Sequence, residues 1–124
     1  MTVTVISFGY GHDTPPQADV TVDARRLLHD PHIDPTMRAL TGLDEPVRRH
    51  VLGTPGATAW VEHEAAAVRA LLTHVGRPVT VAFGCMGGRH RSVAMASECA
   101  RILTTAGFKV QVEHRDVTKP VIRR

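Results

Sequence analysis

Cys85, Arg91 and Ser92 stand within the run VTVAFGCMGGRHRSV, with five residues between the cysteine and the arginine. Gly84 precedes the cysteine, and Met86, Gly87, Gly88, Arg89 and His90 fill the interval. Two chemistries use such a set. In the first, glycines let the backbone turn sharply and bring its amides close to a ligand. Arg89, His90 and Arg91 add positive charge, and a helix opening at Ser92 presents free N–H groups and the positive end of its dipole. That arrangement binds a phosphate or carboxylate without a metal. In the second, the spacing C-x5-R-[ST] is that of a cysteine phosphatase loop. A thiolate at Cys85 would attack phosphorus while Arg91 forks onto its oxygens. The histidine that usually precedes such a cysteine is missing, since Gly84 stands there. Base rates favour a small buried residue at a strand end for Cys85. The anion site is therefore the main reading, and a phosphatase using Cys85 and Arg91 is the alternative. A Walker A loop counted from Gly84 would need Gly and Lys where Arg89 and His90 stand, so no NTPase is inferred.

A second group of polar residues precedes this loop. Asp19–Ala24 reads as a strand, with Asp23 and Arg25 at its end. In a parallel sheet that end shares an edge with Gly84, where ligands collect. Residues 25–43 are interrupted by Pro31, Pro35 and Gly42, too broken for a long helix and too long for a passive connector. They carry His32, Asp34, Arg38 and Thr41. Residues 30–42 are expected to fold over the pocket and bring His32 to the ligand. His12, His29, His50, His63 and His74 show no ligand spacing with cysteines or carboxylates, so neither a metal nor a cofactor is expected.

The elements that must position these residues follow from periodicity. Val3–Phe8 alternates and is rich in β-branched residues, a strand ended by Gly9-Tyr10-Gly11. Asp44 is placed to cap a short helix through Leu52, with Pro46 tolerated in its first turn. A longer helix runs from Ala57 to Val75, its apolar stripe formed by Trp60, Val61, Ala65, Val68, Leu71, Leu72 and Val75. Val79–Phe83 is a buried strand. Ser92–Ala106 is a helix apolar on several sides, with Gly107 just past its end. Lys109–His114 is a last alternating strand. The strand at Val79, the helix after Ser92 and the strand at Lys109 form a parallel βαβ unit. The fold class is α/β: one domain over residues 1–116, a mostly parallel sheet of about four strands with flanking helices, and a partly mobile basic tail over residues 117–124.

Bulk properties narrow the classes. The chain has 124 residues, 43% hydrophobic and 22% charged, and a formal charge of +3. That is one soluble domain whose mild basicity suits acidic small molecules and permits nucleic acid. No apolar run approaches the roughly 20 residues that span a bilayer, and no signal-peptide core follows Met1. A cytoplasmic protein with no membrane partner is expected. Cys85 and Cys99 lie in the loop and in the following helix, an arrangement that does not suggest a structural disulfide.

The motifs SFGYG (residues 7–11), ADVTVDAR (18–25), DPHIDPTMRALTGLD (30–44), FGCMGGRHRSV (83–93) and VEHRDV (112–117) occur together and in this order. In this the chain resembles the C-terminal domain of the RapZ family of RNase adapter proteins. The resemblance implies an α/β domain similar to one phosphofructokinase subdomain. It implies a non-enzymatic sensor or adapter with a pocket for a phosphosugar, glucosamine-6-phosphate in the family. It also implies a contribution to binding RNA or an RNA-processing protein, and self-association. Carried over by position, the pocket falls on Asp23, Arg25, His32, Gly87, Gly88, His90 and Arg91, with Arg38, Thr41 and Gly42 at matching motif positions. Met86 stands where the family usually has threonine, and Asp30 where it has asparagine. The family's kinase-like domain with its Walker loop has no counterpart in this sequence, so its nucleotide binding is not carried over. The tail offers only Lys119, Arg123 and Arg124, and one Trp and one Tyr give little base-stacking surface.

Overall fold

A computed structural model describes residues 2–123. Four strands, β1 (Thr2–Gly9), β2 (Val20–Asp23), β3 (Val79–Cys85) and β4 (Lys109–His114), form one sheet in the order β2-β3-β1-β4, with every pairing parallel. Three helices, α1 (Glu45–Leu52), α2 (Ala57–His74) and α3 (Arg91–Thr105), connect them. The sequence-derived elements are all present. β3 runs two residues further than expected, because Gly84 and Cys85 continue the ladder opposite Phe8 and Gly9. The βαβ reading needs one correction: β3 and β4 are not neighbours, since β1 lies between them.

Strand alternation sorts the sheet into two faces. Val3, Val5, Val22, Val79, Val81 and Phe83 share one core with Val47 and Val51 of α1, Val61, Val68 and Leu72 of α2, and Met95, Cys99 and Leu103 of α3. Alanines 94, 96 and 100 let α3 approach the sheet closely. Ile6, Phe8 and Ala82 face the other way and are covered by Tyr10 and Ala18 from the β1–β2 connection. The connection leaving β1 therefore lies on one face, and α3, leaving β3, on the other. Adjacent strands whose connections diverge in this way open a crevice at their C-terminal ends. Here β1 and β3 are such a pair, their ends leading into the Gly9–Gly11 and Gly84–Gly88 turns.

Helix ends depart from the sequence reading in three places. Asp44 stands at the start of α1, but its carboxylate accepts from the Thr41 amide at 2.8 Å and makes no cap bond to the helix. Ser92 lies inside α3; His90, two residues earlier, holds the cap position without a side-chain cap bond. Val75 is 60% exposed and lies off the apolar stripe of α2. Residues 31–33, expected to be loop, form a 3-10 turn capped by Asp30, whose carboxylate accepts from the His32 amide at 3.0 Å.

Buried polar residues lash the layers together. Glu98 of α3 bonds Arg48 of α1 at 2.8 Å and Arg101 at 2.6 Å, and these guanidiniums hold its carboxyl below the usual range, Arg101 contributing most. His114 of β4 sits 2.6 Å from Ser7 of β1, and burial pushes its imidazole below the ordinary histidine value.

Candidate functional site

The candidate site lies where β1, β2 and β3 end. Register sets Asp23 opposite Gly84 and Gly9 opposite Cys85. The turns there fit through glycine. A Cβ on Gly88, which has φ +68°, would fall 2.5 Å from the Gly9 nitrogen, so the two turns press backbone against backbone. Nothing lies within 4 Å of a Cβ built on Gly87, which faces open space.

Beneath this contact lies Asp116, a residue sequence reasoning did not single out. Its fully buried carboxylate accepts from the Gly9 amide at 2.7 Å, from Arg115 at 2.8 Å and from Lys119 at 2.5 Å. Burial opposes the charge, but Arg115, Lys119 and that amide outweigh it and lower the pKa to about 2. Arg115 also donates to the Thr14 carbonyl at 2.6 Å. The available sequence signal was an acidic residue just past a strand end on the candidate-site edge, flanked by cations.

Arg91 opens α3 and is 4% exposed. One of its terminal nitrogens donates to the Arg25 carbonyl, and the other lies 3.4 Å from Asp30. Its Nε is buried without a hydrogen-bond partner. Asp30 thus supplies a carboxylate to the buried guanidinium. Asp23 and Arg25 are brought to the same edge but spend their charges on each other, with contacts of 3.0 and 2.7 Å. Arg25 holds the Asp23 carboxyl below its ordinary value and stacks 3.8 Å over the Tyr10 ring.

Arg89 and His90, expected to add charge to the anion site, are stitched to residues 38–42 instead. Arg89 donates to the carbonyls of Leu40 at 3.0 Å, of Val117 and Lys119 at 3.3 Å, and of Ala39. His90 Nε2 lies 3.0 Å from the Arg38 carbonyl, and burial pushes its imidazole down, which disfavours the charged form near neutral pH. Gly42 donates to the Arg89 carbonyl at 2.8 Å, and a Cβ there would fall 2.5 Å from the His90 oxygen. Thr41 turns its hydroxyl to the Leu43 amide at 3.1 Å. Arg38 is exposed and donates to the His32 carbonyl at 2.7 Å. His32 reaches the glycine loop: it lines a small cavity with Gly87, Arg89, His90, Val121 and Ile122.

Cys85 is 2% exposed, and its thiol donates to the Ser92 hydroxyl at 3.1 Å. Neither Cys85 nor Cys99 forms a disulfide, and burial pushes the Cys99 thiol up to about 12. Among the described residues no group of three or more His, Cys, Asp or Glu could hold a metal ion, and no helix is long and apolar enough to cross a membrane. A concavity of about 560 Å³ lies at the opposite end of β2 against Pro16, Asp19, Thr21 and Thr80, and no cation lines it.

A family model described as the RapZ C-terminal domain matches residues 1–118. The chain belongs to that family. It is 38% identical over 121 residues to a nucleotide-binding protein of Heliobacterium modesticaldum, covering 94% of this chain and 40% of that protein. It is 43% identical over 117 residues to a nucleotide-binding protein of Thermobifida fusca, covering 91% and 40%. A nucleotide-binding protein of Rhodospirillum centenum is 42% identical over 121 residues, covering 94% and 36%. The chain thus spans about 40% of the length of these relatives.

Proposed function

We propose that this domain is a cytoplasmic, non-enzymatic sensor or adapter that binds a phosphorylated metabolite, an amino-sugar phosphate such as glucosamine-6-phosphate, at the loop of residues 86–92. One observation carries the reading: the Arg91 guanidinium is held almost wholly buried at the start of α3, its Nε unpartnered and its ion pair with Asp30 a loose 3.4 Å. A buried donor left without an acceptor is costly, and a phosphate oxygen would repay it. Nothing lies within 4 Å of where a Cβ on Gly87 would stand, so no side chain of its own bars an anion from the helix N-terminus. Asp30 and Asp23 on the same edge suit a ligand with a positive amine opposite its phosphate. The relatives' description as nucleotide-binding agrees with a small phosphorylated ligand. RNA and a second copy of the chain are the further partners this reading admits.

The test is titration calorimetry with glucosamine-6-phosphate, glucose-6-phosphate, a nucleoside triphosphate and inorganic phosphate. Arg91→Ala is expected to weaken the amino-sugar phosphate by roughly 2–4 kcal/mol, and Arg91→Lys by less. Equal affinity in wild type and Arg91→Ala would rule the site out.

A second reading, a cysteine phosphatase, draws on the 3.1 Å contact between the Cys85 thiol and Ser92 across the C-x5-R-S spacing. Saturable hydrolysis of an aryl phosphate, abolished in Cys85→Ser, would replace the sensor reading with it.

A further inference from the structure

The crevice at the sheet's switch point is filled by the chain's own C-terminal segment. Ile122 seats on Gly11 so closely that a Cβ on that glycine would fall 2.4 Å from the isoleucine Cδ1. Val121 and Ile122 wall the cavity beside Gly87, His90 and His32, leaving about 10 Å³, room for a single water at most. Ligand pockets for small molecules usually hold about 300 Å³ or more. Against the same two residues lies a groove of about 400 Å³, lined by His32, Arg38, Val121, Ile122 and Arg123. The small cavity and the groove share His32, Val121 and Ile122 as walls. Moving the two tail residues would merge them.

The segment is built to move from a fixed base. Residues 116–119 are anchored: Lys119 pairs with the buried Asp116 carboxylate, and Arg89 bonds the carbonyls of Val117 and Lys119. Pro120 follows, fixing its own φ and lacking an N–H to tether it. Beyond it, Val121 is 38% exposed, and Ile122 lies against Gly11.

We propose that Pro120–Arg123 is a lid over the anion site, and that a phosphorylated ligand enters by displacing Val121 and Ile122, so that occupancy is converted into release of the tail. The lid rests on the site proposed above. It gives that site an output, since ligand would free a segment bearing Arg123 from the candidate site.

The experiment uses the full chain and its variant Val121→Ser/Ile122→Ser, with glucosamine-6-phosphate and inorganic phosphate as probes. Hydrogen exchange and limited trypsin cleavage report on residues 117–124, and calorimetry reports affinity. Saturating glucosamine-6-phosphate is expected to speed exchange at residues 121–123 and cleavage after Arg123. The double variant should bind it about 3- to 10-fold more tightly, because no lid contact has to be broken. Binding with unchanged or increased tail protection, and no tighter in the variant, would overturn the lid and leave the site standing. No binding of either probe by either chain would overturn the site and the lid with it.

Discussion

Asp116 and Cys85 show how differently two buried polar side chains serve one edge. Asp116 is ionised and satisfied, tying the turn after β1 to the end of β4 through the Gly9 amide and two cations. Replacing it with Asn should cost roughly 2 kcal/mol of stability, since charge-assisted bonds are lost. Its folded pKa of about 2 lies below the ordinary 3.8, so the unfolded chain binds the proton more readily. The stabilisation is therefore complete above about pH 4 and is lost as pH falls towards 2. Melting temperatures measured between pH 5 and 2 should fall more steeply for wild type than for Asp116→Asn; parallel curves would show that the carboxylate is not the titrating group. Cys85 donates to Ser92 from within the core. Cys85→Ser should leave phosphate-ligand affinity within about twofold by calorimetry and melt within a few degrees of wild type, because a small buried group is exchanged for another of similar volume.

Adjacent glycines in the turn between β3 and α3 do different jobs, and a pair of substitutions separates them. Gly88 sits at φ +68° with the Gly9 backbone in the space of any Cβ. Gly88→Ala combines left-handed strain with a backbone clash, and should cost more than about 2 kcal/mol by denaturant unfolding. Gly87 meets nothing within 4 Å. Gly87→Ala should unfold at nearly the wild-type denaturant concentration yet weaken glucosamine-6-phosphate, because its methyl would stand where the anion approaches. Equal loss of stability in both variants would show that the open side of Gly87 is needed for folding. The 30–42 segment behaves as part of this element: Asp30, Arg38, Ala39, Leu40 and Gly42 each contact Arg89, His90 or Arg91.

At the scale of the whole molecule, charge limits what RNA binding can be. The net charge is +3, and Arg89, Arg91 and Arg115 spend their guanidiniums on carbonyls and carboxylates inside the fold. Any binding to RNA is expected to be weak and mainly electrostatic, with affinity falling steeply as salt rises and little sequence preference. A gel-shift series from low to moderate salt checks this, and a salt-insensitive, sequence-specific complex would contradict it. The parallel sheet carries its helices on one face only, while the β1–β2 connection covers Ile6, Phe8 and Ala82 on the other.

The order of strands and helices was legible in the sequence because it depends on short-range periodicity. Alternation marks β1 and β4, the Val61–Ala65–Val68–Leu72 stripe marks α2, and positive-φ glycines fall at 76 and 107, where α2 and α3 end. The glycine loop was legible too, since glycines, cations and a helix start coincide there. The partners of each cation were not. Arg89 and His90 read as free charge in the sequence, yet their partners lie about 50 residues earlier on the 30–42 segment, with two more for Arg89 in the tail. Asp116 was not singled out, because its three partners are gathered from both ends of the chain. Local pattern sets which residues form an element. Only the closed fold decides which buried charge meets which, because desolvation forces every such group to find a partner from whatever segment the topology brings near.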